Sequence, residues 1–216
     1  MRRLTFEGAD GQGLRLLVIG AHADDIEIGC GGTILRLIDE GRLASVRWVV
    51  LSAIGERAAE ARTAASRVLG ALPAEVDIGD FRDGYFPYLG ATVKDRIQAL
   101  AAGPAVDLVL THRREDLHQD HRLVADLTWN AFRDHLVLEY EIPKYDGDLG
   151  SPNTFVELSE DVARRKIELL MGSYPSQADK HWFSPETFRA LLRLRGIESR
   201  SASGLAEGFT ARKIVV

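Results

Sequence analysis

The stretch Ala21-His22-Ala23-Asp24-Asp25 puts one imidazole and two carboxylates within four residues. A neutral imidazole and a carboxylate are ordinary zinc ligands, and His22 and Asp25, three apart, converge if the chain curls into a turn. A second run, Asp116-Leu117-His118-Gln119-Asp120-His121, follows Thr111-His112, so three of the six histidines fall within ten residues. One more ligand from this run, added to His22 and Asp25, makes three protein ligands with a fourth position open to water. That is the pattern of a catalytic rather than a structural zinc. The remaining carboxylates and imidazole then serve as base, acid and supports for the ligands. Taken singly, each run has a plainer reading: His22 and Asp24 suit a loop that caps a following helix, and the second run suits a solvated loop.

The plainer readings weaken once the runs are placed among the elements that must carry them. Residues 14–20 form a short apolar, β-branched run ending at a glycine, as a buried parallel strand does. The pattern then predicts a helix opened by Gly31-Gly32-Thr33 and stopped by Gly41, a strand over 46–51, and an Ala-rich helix over 56–69 with Gly70 as its stop. A weak strand over 75–78, a helix over 93–102 and a strand over 106–110 follow. Next come a helix over 121–132, a strand over 136–140, and a helix over 162–171 capped by Ser159. A last helix runs from Pro185 to Gly196, and a strand over 213–216 closes the chain. Residues 146–153, rich in Gly, Asp and Pro, read as a surface loop.

Strands alternating with helices predict one α/β domain over residues 1–216, with three α/β/α layers about a mostly parallel, Rossmann-like sheet. Open sheets of this kind bind ligands beyond the carboxyl ends of their strands, and both runs fall there, over one sheet edge. A dinucleotide site fails on register: its G-x-G-x-x-G begins at the strand end, where Gly20-Ala21-His22-Ala23-Asp24 stands, and two carboxylates repel a pyrophosphate. Gly29, Gly31 and Gly32 are read as permitting close packing, with Cys30 as a small packed residue among them.

Composition narrows the function further. A chain of 216 residues buries roughly 70% of the surface its unfolded form exposes, so its core needs no staple. A net charge of −5 leaves no basic stripe for nucleic acid. The single cysteine cannot form an intramolecular disulfide, which fits a reducing compartment. Met1-Arg2-Arg3-Leu4-Thr5-Phe6-Glu7 starts basic but breaks into polar residues before an apolar stretch forms, and residues 16–19 are far too few for a membrane span. The expectation is a soluble, cytoplasmic protein with no membrane span and no nucleic-acid partner; a homo-oligomer stays open.

With both runs in this order, the chain resembles the LmbE/PIG-L family of N-deacetylases, whose motifs are A-H-P-D-D followed by G-x-G-G, and later D-x-H-x-D-H. Here they stand as Ala21-His22-Ala23-Asp24-Asp25, Gly29-Cys30-Gly31-Gly32 and Asp116-Leu117-His118-Gln119-Asp120-His121. The likeness runs more loosely through Gly55-Glu56-Arg57, residues 57–70, Phe81-Arg82-Asp83-Gly84, Ser176-Gln177 and Ala206-Glu207-Gly208-Phe209, and so across nearly the whole chain. The resemblance implies zinc on His22, Asp25 and His121, a set that also accepts Fe2+ or Co2+. It implies Asp24 as general base, His118 as oxyanion stabiliser or proton donor, and Asp120 as the residue that orients His118. Arg57 and Asp83 match positions that contact the sugar. Ala23 and Gln119 stand where proline is usual; neither is a ligand, so these departures touch loop rigidity rather than the metal.

The implied reaction removes the N-acetyl group from an N-acetylamino sugar or its conjugate, releasing acetate and a free amine. Asp24 would take a proton from the attacking water, and protonated His118 would help to hold the oxyanion. Two other readings compete. A metal phosphoesterase would more readily use two metals, and more bridging carboxylates than the sequence provides. A metal-dependent binding module on the same fold would not need Asp24 and His118. Trp48 and Trp129 are expected in the core. The segment from Tyr174-Pro175-Ser176-Gln177 to His181-Trp182 lines a substrate loop or is a surface loop with one buried aromatic.

Overall fold

The computed structural model describes Thr5, Glu7, Gly8, Gly11 and residues 13–214; the rest of the amino-terminal stretch, and positions 215 and 216, lie outside the described residues. Alternating apolar and β-branched runs become the strands β1 (Leu14–His22), β2 (Leu43–Ser52), β3 (Ala74–Ile78), β4 (Leu108–His112), β5 (Leu136–Tyr140), β6 (Thr154–Glu157) and β7 (Ala206–Ala211). The helices are α1 (Asp25–Asp39), α2 (Gly55–Leu69), α3 (Gly90–Ala101), α4 (Gln119–Ala131), α5 (Glu160–Ser173) and α6 (Pro185–Ser199). The strands form one sheet in the order β3-β2-β1-β4-β5-β7-β6. Its first five members are parallel, and β7 runs antiparallel to both β5 and β6.

Alternate residues of a strand face opposite sides of its sheet. Leu14, Leu16 and Val18 pack with Trp48 and Val50 against α1, α2, α5 and α6, while Leu17, Ile19 and Ala21 pack with Val49 and Leu51 against α3 and α4. Each of these leucine, isoleucine and valine side chains stabilises the fold by about 1.5–3 kcal/mol when fully buried. Both faces are covered, so the central strands are apolar throughout rather than alternating. The expected three layers are therefore present, with a mixed carboxyl-terminal edge. From β1 the chain builds outward through β2 and β3; β4 then starts the other half on β1's opposite side. Such a reversal opens a crevice at the carboxyl ends of β1 and β4.

Several boundaries differ from the sequence reading for physical reasons. Helix α1 starts at Asp25, not Gly31, so the glycines lie inside it. They are tolerated because tertiary neighbours come close: a Cβ on Gly29 would meet the Tyr140 ring at 2.2 Å, and one on Gly32 would meet Leu158 at 2.5 Å. Helix α6 passes through Gly196 to Ser199 because that glycine lies against the Gly204 carbonyl and does not end the helix. Strand β4 extends to His112, two residues past the end that the apolar run predicts. The closing strand is Ala206–Ala211; Lys213 and Ile214 are not in a strand, and the rest of the expected one lies outside the described residues. The four-residue β6 has no counterpart in the sequence pattern. Ser159 does cap α5, accepting the Val162 N–H at 3.1 Å, and Pro185 does open α6. No helix among the described residues is long and apolar enough to cross a membrane.

Candidate metal and catalytic centre

The crevice at the β1–β4 switch gathers both runs. His22 ends β1, Asp24 and Asp25 open α1, and His118 caps α4, which carries Asp120 and His121 in its first turn. Asp24 stands at the cap position of α1 but makes no capping bond, which removes the plainer reading of that residue. Asp25 instead turns back, its Oδ2 accepting the His22 N–H at 2.6 Å.

The ring contacts assign hydrogens. His22 Nε2 lies 3.0 Å from Asp83 Oδ1 and 3.2 Å from Asp120 Oδ2, so that nitrogen donates. His121 Nδ1 lies 3.1 Å from Asp116 Oδ2 and donates likewise. Their other nitrogens, His22 Nδ1 and His121 Nε2, face each other at 3.1 Å, as a hydrogen bond when His22 is charged and as two lone pairs when both rings are neutral. Asp25 completes the set, with Oδ2 3.4 Å from His22 Nδ1 and Oδ1 3.5 Å from His121 Nε2. With both rings neutral, three electron pairs converge here, an arrangement that a cation would satisfy. Their spacing is close to about 3.3 Å, the edge of a tetrahedron whose ligands stand roughly 2.0–2.1 Å from the centre. The fold thus brings the three expected residues together at this spacing. Burial, and then the neighbouring His112, pushes the His121 imidazole down to about 3, so the ring is neutral, the form a metal ligand must take. Burial opposes charge on His22 too, but the hydrogen bonds it donates to Asp120, Asp25 and Asp83 outweigh it and raise that group well above its ordinary value. The two shifts run in opposite directions, His22 favouring its charged form and His121 its neutral one.

Two further histidines lie close without joining this set. His118, His22 and His121 present ligand atoms within 4.8 Å of one another, as do Asp25, His112 and His121. His112 Nε2 lies 2.9 Å from the Ala21 nitrogen and 3.1 Å from Asp25 Oδ2, so this ring ties β1 to the Asp25 carboxylate. His118 Nδ1 accepts the Asp120 N–H at 3.3 Å, which leaves hydrogen on Nε2. Burial, then the nearby His22 ring, holds His118 below its ordinary value, so this neutral donor tautomer prevails at neutral pH rather than the expected imidazolium.

The carboxylates divide by partner. The Asp120 side chain, fully buried, accepts Gly84 N–H at 2.7 Å and Phe86 N–H at 3.1 Å besides touching His22. It thus orients His22, and only its backbone N–H reaches His118, in contrast to the expected carboxylate–His118 pairing. Asp83 meets His22 while its side chain stays 75% exposed. Asp116 also takes Lys144 Nζ at 3.0 Å, and Lys144 in turn meets Asp148 at 2.5 Å. The loop expected at the surface is thereby tied to the centre, and its Asp148 accepts Leu117 N–H at 2.6 Å.

Asp24 faces Arg57, with Oδ1 3.0 Å from Nη2. Burial raises the Asp24 carboxyl, and Arg57 opposes that shift without cancelling it. Behind Asp24, the Tyr174 hydroxyl contacts both the Ala23 carbonyl and Glu27 Oε1, the latter at 2.7 Å. One phenol proton cannot serve both; it goes to Ala23, and Glu27 supplies the other as a neutral acid. Burial accordingly pushes Glu27 up to about 8. Sequence reasoning counts His112 in its histidine cluster without giving it a role, and misses Glu27, Lys144 and Glu60. Only Glu60 leaves a signal, three residues after Arg57 on one helix face. Of the later aromatics, Phe183 is buried and Trp182 packs beside it, with His181 exposed.

The chain matches the PIG-L family, described as GlcNAc-PI de-N-acetylase, over residues 17–132. Among solved structures it is similar to the conserved protein TT1542 from Thermus thermophilus, at 21% identity over 94% of this chain and 96% of that one, with a TM-score of 0.71. It is also similar to the N,N'-diacetylchitobiose deacetylase from Pyrococcus horikoshii, at 18% identity over 96% and 87% of the two chains, with a TM-score of 0.69. A third similar structure is the 4-carboxy-2-hydroxymuconate hydratase GalB from Pseudomonas putida, at 20% identity over 94% and 98%, with a TM-score of 0.65. At these identities the three structures speak for the fold. The family match takes in both motif runs and more than half of the chain, and this protein therefore belongs to the PIG-L family.

Proposed function

We propose that this protein is a zinc-dependent N-deacetylase that hydrolyses the acetamide of an N-acetylamino sugar or its conjugate. The observation that carries this reading is the convergence of His22 Nδ1, His121 Nε2 and the Asp25 carboxylate, with Asp24 and His118 beside them but engaged elsewhere. Three protein ligands leave one position open, as catalytic zinc sites do. A zinc ion there lowers the pKa of water to roughly 7 and polarises a carbonyl oxygen. Asp24 is the general base: burial raises its carboxyl, which suits it to take the water's proton and pass it to the departing amine nitrogen. His118 presents Nε2–H to the developing oxyanion, a contact worth about 2.7–4 kcal/mol in other enzymes. Arg57 and Asp83 line the approach to the base and to His22, where a sugar hydroxyl would lie.

A two-metal phosphoesterase is disfavoured because Asp24 and Asp116, which would have to bridge a second ion, are paired with Arg57 and with His121 and Lys144. The amide specificity follows the de-N-acetylase description of the family and the deacetylase among the similar structures. We place the reaction in the cytoplasm, a setting supported by the one buried, unpaired thiol, Cys30. The test is acetate release from free, glycosidic and nucleotide-linked N-acetylglucosamine by zinc-loaded protein. Asp24→Asn should lose about 10²–10⁴-fold of turnover while keeping its zinc. No acetate from any such sugar, or full activity in Asp24→Asn, would overturn the reading.

A further inference from the structure

Arg57 is engaged on two sides. While Nη2 meets Asp24, Nη1 lies 3.1 Å from Glu60 Oε2 and 3.3 Å from Ser176 Oγ. Glu60, one turn further along α2, is only 7% exposed, and both of its oxygens are used. Oε1 accepts the Ser176 N–H at 2.9 Å, and Oε2 accepts the Ser176 hydroxyl at 2.6 Å as well as Arg57. Ser176 lies in the 3-10 turn Pro175–Gln177, immediately after Tyr174, whose hydroxyl donates to the Ala23 carbonyl. The segment 174–177 thus grips the 23–25 turn from two directions: directly through Tyr174, and along the path Ser176, Glu60, Arg57, Asp24.

Placing a carboxylate among Ala61, Ala64 and Ala65 on the buried face of α2 is costly unless it is fully paired. Packing alone would favour another alanine there. An arginine that served only a sugar would need no second acid and no serine behind it. A planar guanidinium held between two carboxylates is a strut that fixes the direction of each. We propose that Glu60 and Ser176 are positioning residues for Asp24, acting through Arg57, so that the 174–177 segment orients the base rather than recognising the sugar. This rests on the deacetylase reading above.

The experiment is steady-state acetate release from N,N'-diacetylchitobiose by zinc-loaded wild type, Glu60→Gln and Ser176→Ala, with zinc content measured on each. Glutamine keeps the shape of Glu60 but removes the charge facing the guanidinium. A misdirected base should lower kcat roughly tenfold in Glu60→Gln, and about three- to tenfold in Ser176→Ala, with KM within about twofold and zinc unchanged. A raised KM at unchanged kcat would overturn the proposal, because it assigns the network to sugar binding. If Glu60→Gln does not fold, Ser176→Ala carries the same comparison. A wild type that releases no acetate from this or any sugar of the screen contradicts the proposed activity instead. A double-mutant cycle of Glu60→Gln and Asp24→Asn, read as urea midpoints, then decides: non-additive shifts support the coupling, and additive ones overturn it.

Discussion

Asp24 and Asp25 are neighbours with opposite surroundings. Burial would raise both, but the His121 and His112 rings hold the Asp25 carboxyl well below its ordinary value, whereas Asp24 remains raised against Arg57. Carboxylates pushed apart in this way suit different work, and the proposed reading takes Asp25 as ligand and Asp24 as base. The ligands have supports of their own. Asp116 fixes the tautomer of His121, so Asp116→Asn should weaken zinc binding roughly 10–100-fold, as measured by chelator competition. Unchanged affinity would show that His121 needs no such partner. Glu27 makes a prediction about pH. Its carboxyl sits near 4.5 in the unfolded chain and at about 8 in the folded one, so between those values the folded chain holds a proton the unfolded chain has lost. Its contribution to stability is therefore complete below about pH 4.5 and falls as pH rises towards 8. Glu27→Gln, whose amide can donate to Tyr174 in place of the acid proton, should flatten that decline in urea unfolding followed from pH 5 to 8. A slope identical to wild type would mean that Glu27 is ionised.

At the scale of elements, α1 has to be held where its first turn meets β4. Glu207 of β7 accepts the Gly32 N–H at 2.8 Å and the Thr33 N–H at 2.6 Å, while Lys166 of α5 bonds both Glu207 and the Ile28 carbonyl at 2.6 Å. This buried pair joins three elements, and Lys166→Met should cost about 3–5 kcal/mol of unfolding free energy because it strands Glu207. A loss under about 1 kcal/mol would show that Glu207 needs no cationic partner. The pair also shows what the sequence could reveal. Strands β1, β2 and β5 and the ends of α2 were legible, because burial on both faces leaves an unbroken apolar run and a glycine stop. The two motif runs were legible because clustered His and Asp at strand ends have few packing explanations. The true start of α1 was not, since glycines read locally as helix openers, and only Tyr140 and Leu158 give them a place inside the helix. Nor was the pairing of Arg57 with Asp24, 33 positions apart, which no local pattern encodes. Lys144 gave no signal within its loop, and Asp120 pointed to its sequence neighbour His118 although the fold turns its carboxylate to His22.

Across the whole molecule, the reversal of strand order at β1 and β4 brings two runs nearly a hundred residues apart to one crevice. That arrangement is shared by folds with different chemistries, as a hydratase among the similar structures illustrates, so the architecture alone does not select the reaction. The selection falls to the ion and the groups around it. The most direct test is therefore a titration of zinc into metal-free protein, followed by acetate release from a substrate found in the sugar screen. Activity should be absent without metal and rise linearly to a plateau at one zinc per chain, with no rise at any ratio near stoichiometric for His121→Ala. Full activity in the metal-free protein, or a plateau only at two equivalents, would contradict a single zinc on His22, Asp25 and His121.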